Sequence, residues 1–323
     1  MTILVTGAAG FIGSYVAKAL LARGETVIGI DDLNDYYDVT LKQGRLARLE
    51  NHSAFTFHEA DIADMAALQA ITHDTPPTKI VHLAAQAGVR YSIENPAAYV
   101  RSNLQGHANI LELARQHEVE NTVYASSSSV YGANSKIPFS EDDRTDDQVS
   151  FYGATKKANE ALSNSYARLY GLSLTGLRFF TVYGPWGRPD MAYWIFANKI
   201  MKGEPIRIFN NGKMSRDFTY IDDIVKGVLV ALDRPASDLG LPVPHRLYNL
   251  GNDQPEQLMD MVTLIEQGLG TDAIKQFEPM QKGDVERTWA DITRAREELN
   301  YAPKTSLQEG LKSFVDWYRA DWL

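Results

Sequence analysis

Near the amino terminus the apolar run Thr2-Ile3-Leu4-Val5-Thr6 breaks into Gly7-Ala8-Ala9-Gly10-Phe11-Ile12-Gly13, and this junction limits the possible folds more than any other stretch. Short, β-branched and uncharged, the run has the pattern of a buried strand. A helical spacing follows (Phe11, Ile12, Val16, Ala19, Leu20) and stops at Gly24; Thr26-Val27-Ile28-Gly29-Ile30 is then a second strand, ending at Asp31-Asp32. Together they make a βαβ unit with a glycine-rich first turn. Glycine lets the chain bend sharply there, and a pyrophosphate can then approach backbone amides at the helix start, where the dipole favours an anion. Asp31 stands close to the ~20-residue offset at which a carboxylate accepts from an adenosine ribose hydroxyl. The same carboxylate repels a 2′-phosphate and no arginine follows at once, so the expected dinucleotide is NAD rather than NADP. The spacing is Gly-x-x-Gly-x-x-Gly, and its meaning comes from strand, helix and acid falling in register.

The alternation continues. Leu41, Leu46 and Leu49 mark a helix, and Ala54-Phe55-Thr56-Phe57 a strand leaving through Glu59-Ala60-Asp61-Ile62. Met65, Leu68 and Ile71 mark a further helix closed by Pro76-Pro77. Lys79 to Ala85 is the fourth strand; its small end residues let a cofactor lie against the backbone, and His82 within it reads as a packed core histidine. A long helix from about Pro96 to His117 carries Asn103, polar amid its apolar face. Thr122-Val123-Tyr124-Ala125 is the fifth strand, closed by Ser126, and Ser173 to Phe180 is the sixth. Repeated βα units with short loops call for an α/β fold, a doubly wound, Rossmann-like parallel sheet with ligands at the strand carboxyl ends.

Residues 1–180 are expected to form the NAD-binding domain and 181–323 mainly a smaller, discontinuous substrate lobe, with segments such as 216–232 returning to the first. In that second part, Pro205-Ile206-Arg207-Ile208-Phe209 and Arg216-Asp217-Phe218-Thr219-Tyr220 flank Asn210-Asn211-Gly212, a hairpin signal. Helical patterns occupy 222–232, 256–267, 291–298 and 306–320. The charged run from Glu141 to Asp147 reads as a solvated loop, and no metal is expected there.

Composition narrows the function. The net charge of −9 argues against sequence-independent binding to nucleic acid or an anionic membrane. With no cysteine, thiolate catalysis, disulfides and Cys-ligated metal are excluded. No apolar run reaches the ~18 residues of a spanning helix, and the amino terminus lacks a basic segment followed by a long apolar core. A cytoplasmic enzyme is the expectation.

Its chemistry points to the stretch from Ser126 to Lys156. Four serines, Ser126 to Ser129, leave the fifth strand, and Tyr152-Gly153-Ala154-Thr155-Lys156 opens a helix. Residues four apart share a helical face, so the Lys156 ammonium is expected to favour the Tyr152 phenolate and pull its pKa down from ~10. A serine hydroxyl at the strand end would complete a proton-handling site.

These motifs, taken together, resemble the extended short-chain dehydrogenase/reductase family of nucleotide-sugar enzymes. The matching residues are Thr6-Gly7-x-x-Gly10-Phe11-Ile12-Gly13, Asp31, Asp61-Ile62, Leu83-Ala84-Ala85, Asn103, the serine run before Val130-Tyr131-Gly132, Tyr152-x-x-x-Lys156, Leu177-Arg178-Phe179-Phe180 and Arg216-Asp217-Phe218. The segment Asp31-Asp32-Leu33-Asn34-Asp35-Tyr36-Tyr37-Asp38, with Gly184-Pro185-Trp186-Gly187-Arg188-Pro189-Asp190-Met191, looks most like UDP-glucuronate 4-epimerases.

The resemblance implies NAD held by the first of these motifs, with Asp32 and Asn34 beside Asp31, and by Tyr152 and Lys156. It implies a UDP-sugar whose diphosphate meets Arg216 and Arg287, whose uridine ribose meets Asp284, and whose carboxylate meets Ser128, Ser129, Thr181, Arg188 and Arg90. Tyr152 as phenolate would take the sugar O4 proton while C4 gives hydride to NAD; Ser127 would hold or relay that proton, with Ser128 one residue away as the alternative. Lys156 would grip the nicotinamide ribose. The 4-keto sugar would then turn over and take the hydride back on its other face. A 4-keto uronate is a β-keto acid and loses carbon dioxide when the breaking bond aligns with the carbonyl π system, so an epimerase must fix the carboxylate. Family decarboxylases carry a glutamate, and 4,6-dehydratases an Asp-Glu pair, where this chain has Ser128 and Ser129. The remaining alternatives are epimerases of UDP-galactose or of UDP-N-acetylhexosamines and their uronates and, from another class, a non-catalytic NAD-sensing regulator. A homodimer, pairing the helix near 96–117 with the one starting at Tyr152, is also implied.

Overall fold

The computed structural model describes residues 1–281 and 285–322. Its strands are β1 (Thr2–Thr6), β2 (Thr26–Asp31), β3 (Phe55–Glu59), β4 (Lys79–His82), β5 (Asn121–Ser127), β6 (Leu174–Phe179), β7 (Thr181–Tyr183), β8 (Ile206–Ile208), β9 (Ser215–Tyr220), β10 (His245–Leu250), β11 (Pro255–Gln257) and β12 (Lys275–Phe277). Seven of them form one parallel sheet in the order β10–β6–β5–β4–β1–β2–β3. Alternate residues of its strands feed two cores. Ile3, Val5, Val27, Val81 and Val123 face one layer of helices, whereas Leu4, Ile28, Ile30 and Ile80 face the other. That two-sided burial is why the strands read as unbroken apolar runs. Strand order reverses between β1 and β4, which both run parallel and adjacent, and the crevice at such a switch point is where a ligand fits.

Three features differ from expectation. The sheet gains a seventh strand, β10, from the carboxyl third, pairing with β6 in register from His245↔Leu174 to Leu250↔Phe179. The hairpin does not form. Asn210, Asn211 and Gly212 do turn the chain, with φ of 51°, 50° and 79°, but β8 pairs in parallel with β12, and β9 lies between β7 and β11. A turn signal is local, whereas the choice of strand partner is made by burial: Ile206, Ile208, Met214 and Phe218 all enter a third core with Trp194, Phe314 and Trp317. The long helix forms as Pro96–Tyr99 and His107–Gln116 joined by a wider π-helical turn, Val100–Gly106, that contains Asn103.

The helix Phe151–Tyr170 starts on Ser150, whose hydroxyl accepts from Gly153 N at 3.0 Å, and stops at Gly171, whose φ of +71° is left-handed. It is anchored by a buried ion pair. Glu160 Oε1 accepts from Arg178 Nε (2.8 Å) and from the Ser126 hydroxyl (2.7 Å), and Oε2 accepts from Arg178 Nη2 (2.9 Å). Arg178 Nη1 donates to the Tyr131 hydroxyl at 3.0 Å, which donates to Asn249 Oδ1 at 2.6 Å. Glu141 closes the network by accepting from Asn249 N at 2.7 Å, so the first acid of the charged run is buried rather than solvated. Among the described residues no helix is long and apolar enough to cross a membrane, and no group of three or more His, Cys, Asp or Glu is placed to hold a metal ion.

Replacing Glu160 by Gln leaves Arg178 buried without its counter-charge and should lower stability by about 3–5 kcal/mol in urea unfolding. A change within about 0.5 kcal/mol, the scale of surface substitutions, would contradict the anchoring role.

Candidate active site

A cleft of about 440 Å³ runs along the carboxyl edge of the sheet, and a small hollow at the end of β2 and β3 shares Ala84 and Ala85 with its lining. Gly7, Gly10, Phe11, Ile12, Gly13, Leu83, Ala84 and Ala85 line the cleft. Gly7 has φ +72°, and a Cβ on it would meet Ala84 N at 2.7 Å; a Cβ on Gly13 would lie 1.9 Å from the Gly7 carbonyl. Only glycine lets the turn close this tightly against the helix Phe11–Ala22, whose first turn has no side-chain cap. Its free N–H groups are thus available to a pyrophosphate. Asp31, Asp32, Asp61 and Ile62 line the hollow, and Asn34 borders both spaces. This donor and acceptor set fits a dinucleotide.

Several of these side chains already have partners. Asp31 accepts from Ala9 N (3.1 Å) and Leu33 N (3.0 Å) and stands 3.7 Å from Lys42, so it braces the glycine turn as well as facing the hollow. Burial raises its carboxyl above the ordinary range, with Lys42 and these amides acting downward. Asp32 accepts from Asn34, and Asp61 from Arg101 at 2.6 Å. Asn103 is buried away from the cleft. It accepts from Gln86 N (2.8 Å) and donates to Gln86 O (3.0 Å) and Thr155 Oγ1 (3.0 Å), which ties the β4 exit to the helix of Tyr152.

Ser127, Ser128, Ser129, Tyr152, Lys156, Thr181, Arg188 and Arg216 all line the cleft. Ser127 ends β5, one residue later than expected, and its hydroxyl both donates to Ser129 Oγ (3.1 Å) and accepts from Ser129 N (3.2 Å). Of the two serines left open by the sequence, Ser127 is the one whose hydroxyl acts downward on the pKa of the Tyr152 phenol. The Lys156 ammonium donates to Ala125 O at 3.0 Å.

The expected direction of the Tyr152 shift is reversed. Burial raises the phenol above 10; the Ser127 hydroxyl and the Arg188 charge act downward without overcoming it. Burial also pulls Lys156 down, to about 8. Helical spacing places Lys156 one turn away, but the charge that acts on the phenol is that of Arg188, and burial is the dominant effect on both Tyr152 and Lys156.

Arg188 pairs with Asp190, and Arg216 donates to the backbone oxygens of Ser215 (2.9 Å), Glu286 (3.1 Å) and Val285 (2.7 Å). Two of the residues expected at the sugar nucleotide lie outside the cleft lining. Arg90 is exposed with its guanidinium 5.3 Å over the Phe209 ring, and Arg287 is exposed 5.4 Å over Trp289. Asp284 lies outside the described residues.

The profile of the NAD-dependent epimerase/dehydratase family matches residues 3–251. The chain belongs to that family. It is 52% identical over 329 residues to UDP-glucuronate 4-epimerase 4 of Arabidopsis thaliana, an alignment covering 98% of this chain and 75% of that one. Its structure matches that of UDP-glucuronic acid 4-epimerase from Bacillus cereus in complex with UDP-glucuronic acid and NAD at a TM-score of 0.90, with 36% identity and 99% of each chain covered. UDP-glucose 4-epimerase from Thermotoga maritima with UDP-glucose matches at 0.89, with 33% identity and 99% of each chain.

One residue of this epimerase-family chain escaped the sequence reading. Arg45 is fully buried and donates to Trp186 O (2.9 and 2.7 Å), Gly187 O (2.7 Å), Ala9 O (3.1 Å) and the Tyr37 hydroxyl (2.6 Å). It joins the glycine turn to the segment that presents Arg188. An arginine within a helix was the only signal, and two of its partners, Trp186 and Gly187, lie 141 and 142 residues away.

Lys156 yields a pH test. Its folded pKa of about 8 lies below the ordinary 10.5, so the unfolded chain binds the extra proton between those values. The cost is fully present below about pH 8 and is relieved as pH rises towards 10.5. The unfolding free energy of the wild type relative to Lys156→Met should therefore rise over that window by on the order of 3 kcal/mol. A flat difference in urea titrations would contradict the buried ammonium.

Proposed function

We propose that the protein inverts C4 of UDP-glucuronate, giving UDP-galacturonate through a transient 4-keto sugar. What carries this function is one cleft that joins the glycine turn to Ser127, Tyr152, Lys156 and Arg188. Bound NAD takes up the C4 hydrogen as hydride and returns it, so that none is consumed. Tyr152 receives the O4 proton; its raised affinity for protons makes it a strong base once ionised, and Ser127 and Arg188 stabilise the ionised form. Lys156, oriented by the Ala125 carbonyl, holds the nicotinamide ribose. Ser128, Ser129, Thr181 and Arg188 hold the sugar carboxylate, and Arg216 meets the diphosphate, with guanidinium forks matching both anions. Gly10, Gly13 and the hollow around Asp31 and Asp61 take the pyrophosphate and adenosine.

We also infer a cytoplasmic homodimer. Val100, Leu169 and Tyr170 are exposed on the two helices that would pair, and a chain without cysteine has no disulfide to form in an oxidising compartment. A single 36.1 kDa species in sedimentation would remove the dimer.

Purified protein given UDP-glucuronate or UDP-glucose, without added NAD, should convert the uronate to its C4 epimer with little carbon dioxide. Epimerisation of the neutral sugar alone would overturn the substrate. Tyr152→Phe should lower turnover by at least about 10²–10⁴-fold while NAD stays bound. Near-normal rates in that variant would overturn the base.

A further inference from the structure

The Arg188 guanidinium does not stand in the cleft alone. Asp190, two residues on, takes one whole edge of it: Nε donates to Oδ1 at 3.0 Å and Nη2 to Oδ2 at 2.5 Å. The Tyr36 hydroxyl, from the segment after β2, donates to the same Oδ2 at 3.1 Å. Arg188 and Tyr36 line the cleft, whereas Asp190 is not part of the lining. Both members of the pair are only partly exposed, at 25% and 27% of their side chains. Tyr36 is itself held from the other side, by its ring packing 4.7 Å from Tyr91 and by Gly88, where a Cβ would lie 2.8 Å from the Tyr36 hydroxyl.

For simple capture of an anion this arrangement is poor, because Asp190 cancels much of the charge that would attract a carboxylate. It is good for direction. With Nε and one Nη2 hydrogen committed to Asp190, a substrate carboxylate can meet only the end-on edge formed by Nη1 and the second Nη2 hydrogen. Among the described residues no hydrogen bond occupies Nη1. A planar fork fixed on one side restricts the torsion of whatever binds the other.

Torsion is what matters for a 4-keto uronate. Carbon dioxide leaves when the C5–C6 bond lies parallel to the carbonyl π orbital. That bond breaks, its electron pair passes into an enolate on the C4 oxygen, and a proton later adds to C5. We propose that Asp190, braced by Tyr36, is a positioning residue that decides which product leaves: by holding Arg188 along one edge it keeps the uronate carboxylate out of the alignment for decarboxylation. The inference rests on the UDP-glucuronate reading, and it makes the grip directional at the expense of its strength.

The test uses the full-length protein with its bound NAD, comparing wild type, Asp190→Asn and Tyr36→Phe. Three quantities are read: carbon dioxide released per C4 epimer formed, calorimetric affinity for UDP-glucuronate and for UDP-glucose, and NAD content as a control for folding. Asp190→Asn should raise the carbon dioxide to epimer ratio about tenfold or more, the size of losing an oriented charge-assisted hydrogen bond, without weakening UDP-glucuronate binding. Tyr36→Phe, which deletes one hydroxyl, should move the ratio the same way by about threefold and keeps the question open to measurement should Asp190→Asn not fold. A ratio within about twofold of wild type in the folded variants would overturn the inference, as would equal loss of affinity for both sugars. Wild-type protein that fails to epimerise UDP-glucuronate would overturn the functional reading, and this inference with it.

Discussion

A buried carboxylate and a buried guanidinium, Glu160 and Arg178, hold the end of the sheet in the form the chemistry needs. Isolated charges in such a place would be costly, but here nearly every oxygen and N–H has a partner, and a fully connected network is the condition under which a buried pair persists. The pair joins β6 to the helix of Tyr152 and, through Ser126, to the end of β5. Tyr131 and Asn249 extend it to the serine loop and to β10. Ser127 follows Ser126 directly, and Lys156 precedes Glu160 by one helical turn. The orientation of hydroxyl, phenol and ammonium thus depends on a salt bridge that touches none of them.

A second buried cation performs the same service between the two ends of the cleft. Arg45 meets only carbonyl and hydroxyl oxygens, from the glycine turn on one side and from Trp186 and Gly187 on the other. Trp186 has a φ of 58°, a left-handed conformation that a large side chain adopts only when its surroundings impose it. The segment carrying Arg188 is therefore built on the cofactor turn, so the sugar end of the cleft cannot shift independently of the dinucleotide end.

The first half of the fold was legible because parallel strands covered on both faces leave plain apolar runs, and because Gly7 and Gly13 occupy positions that admit no Cβ. Tyr152 and Lys156 were legible for a similarly local reason, the pitch of a helix. What stayed hidden was non-local. β10 joins the sheet 71 residues after β6 begins (His245 against Leu174), and nothing in its own composition names that partner. Asn210-Asn211-Gly212 announced a turn correctly and a hairpin wrongly, since the flanking strands bury their apolar residues in one core while pairing elsewhere. Glu141 read as a solvated charge and Arg45 went unnoticed because Asn249 and Trp186, which they meet, lie more than 100 and more than 140 residues away. The Tyr152 shift was misjudged in sign because spacing reports the neighbour but not the burial, and burial is the larger effect.

All of this converges on a cleft in which one carbon of a sugar loses and regains the same hydrogen without leaving the protein. UDP-glucuronate carrying deuterium at C4, followed by mass spectrometry of the product, tests that directly. Deuterium retained at C4 of the epimer, with slowed turnover and no label in solvent, is the expected result. Loss of the deuterium to water, or inversion with the C4–hydrogen bond never broken, would contradict it.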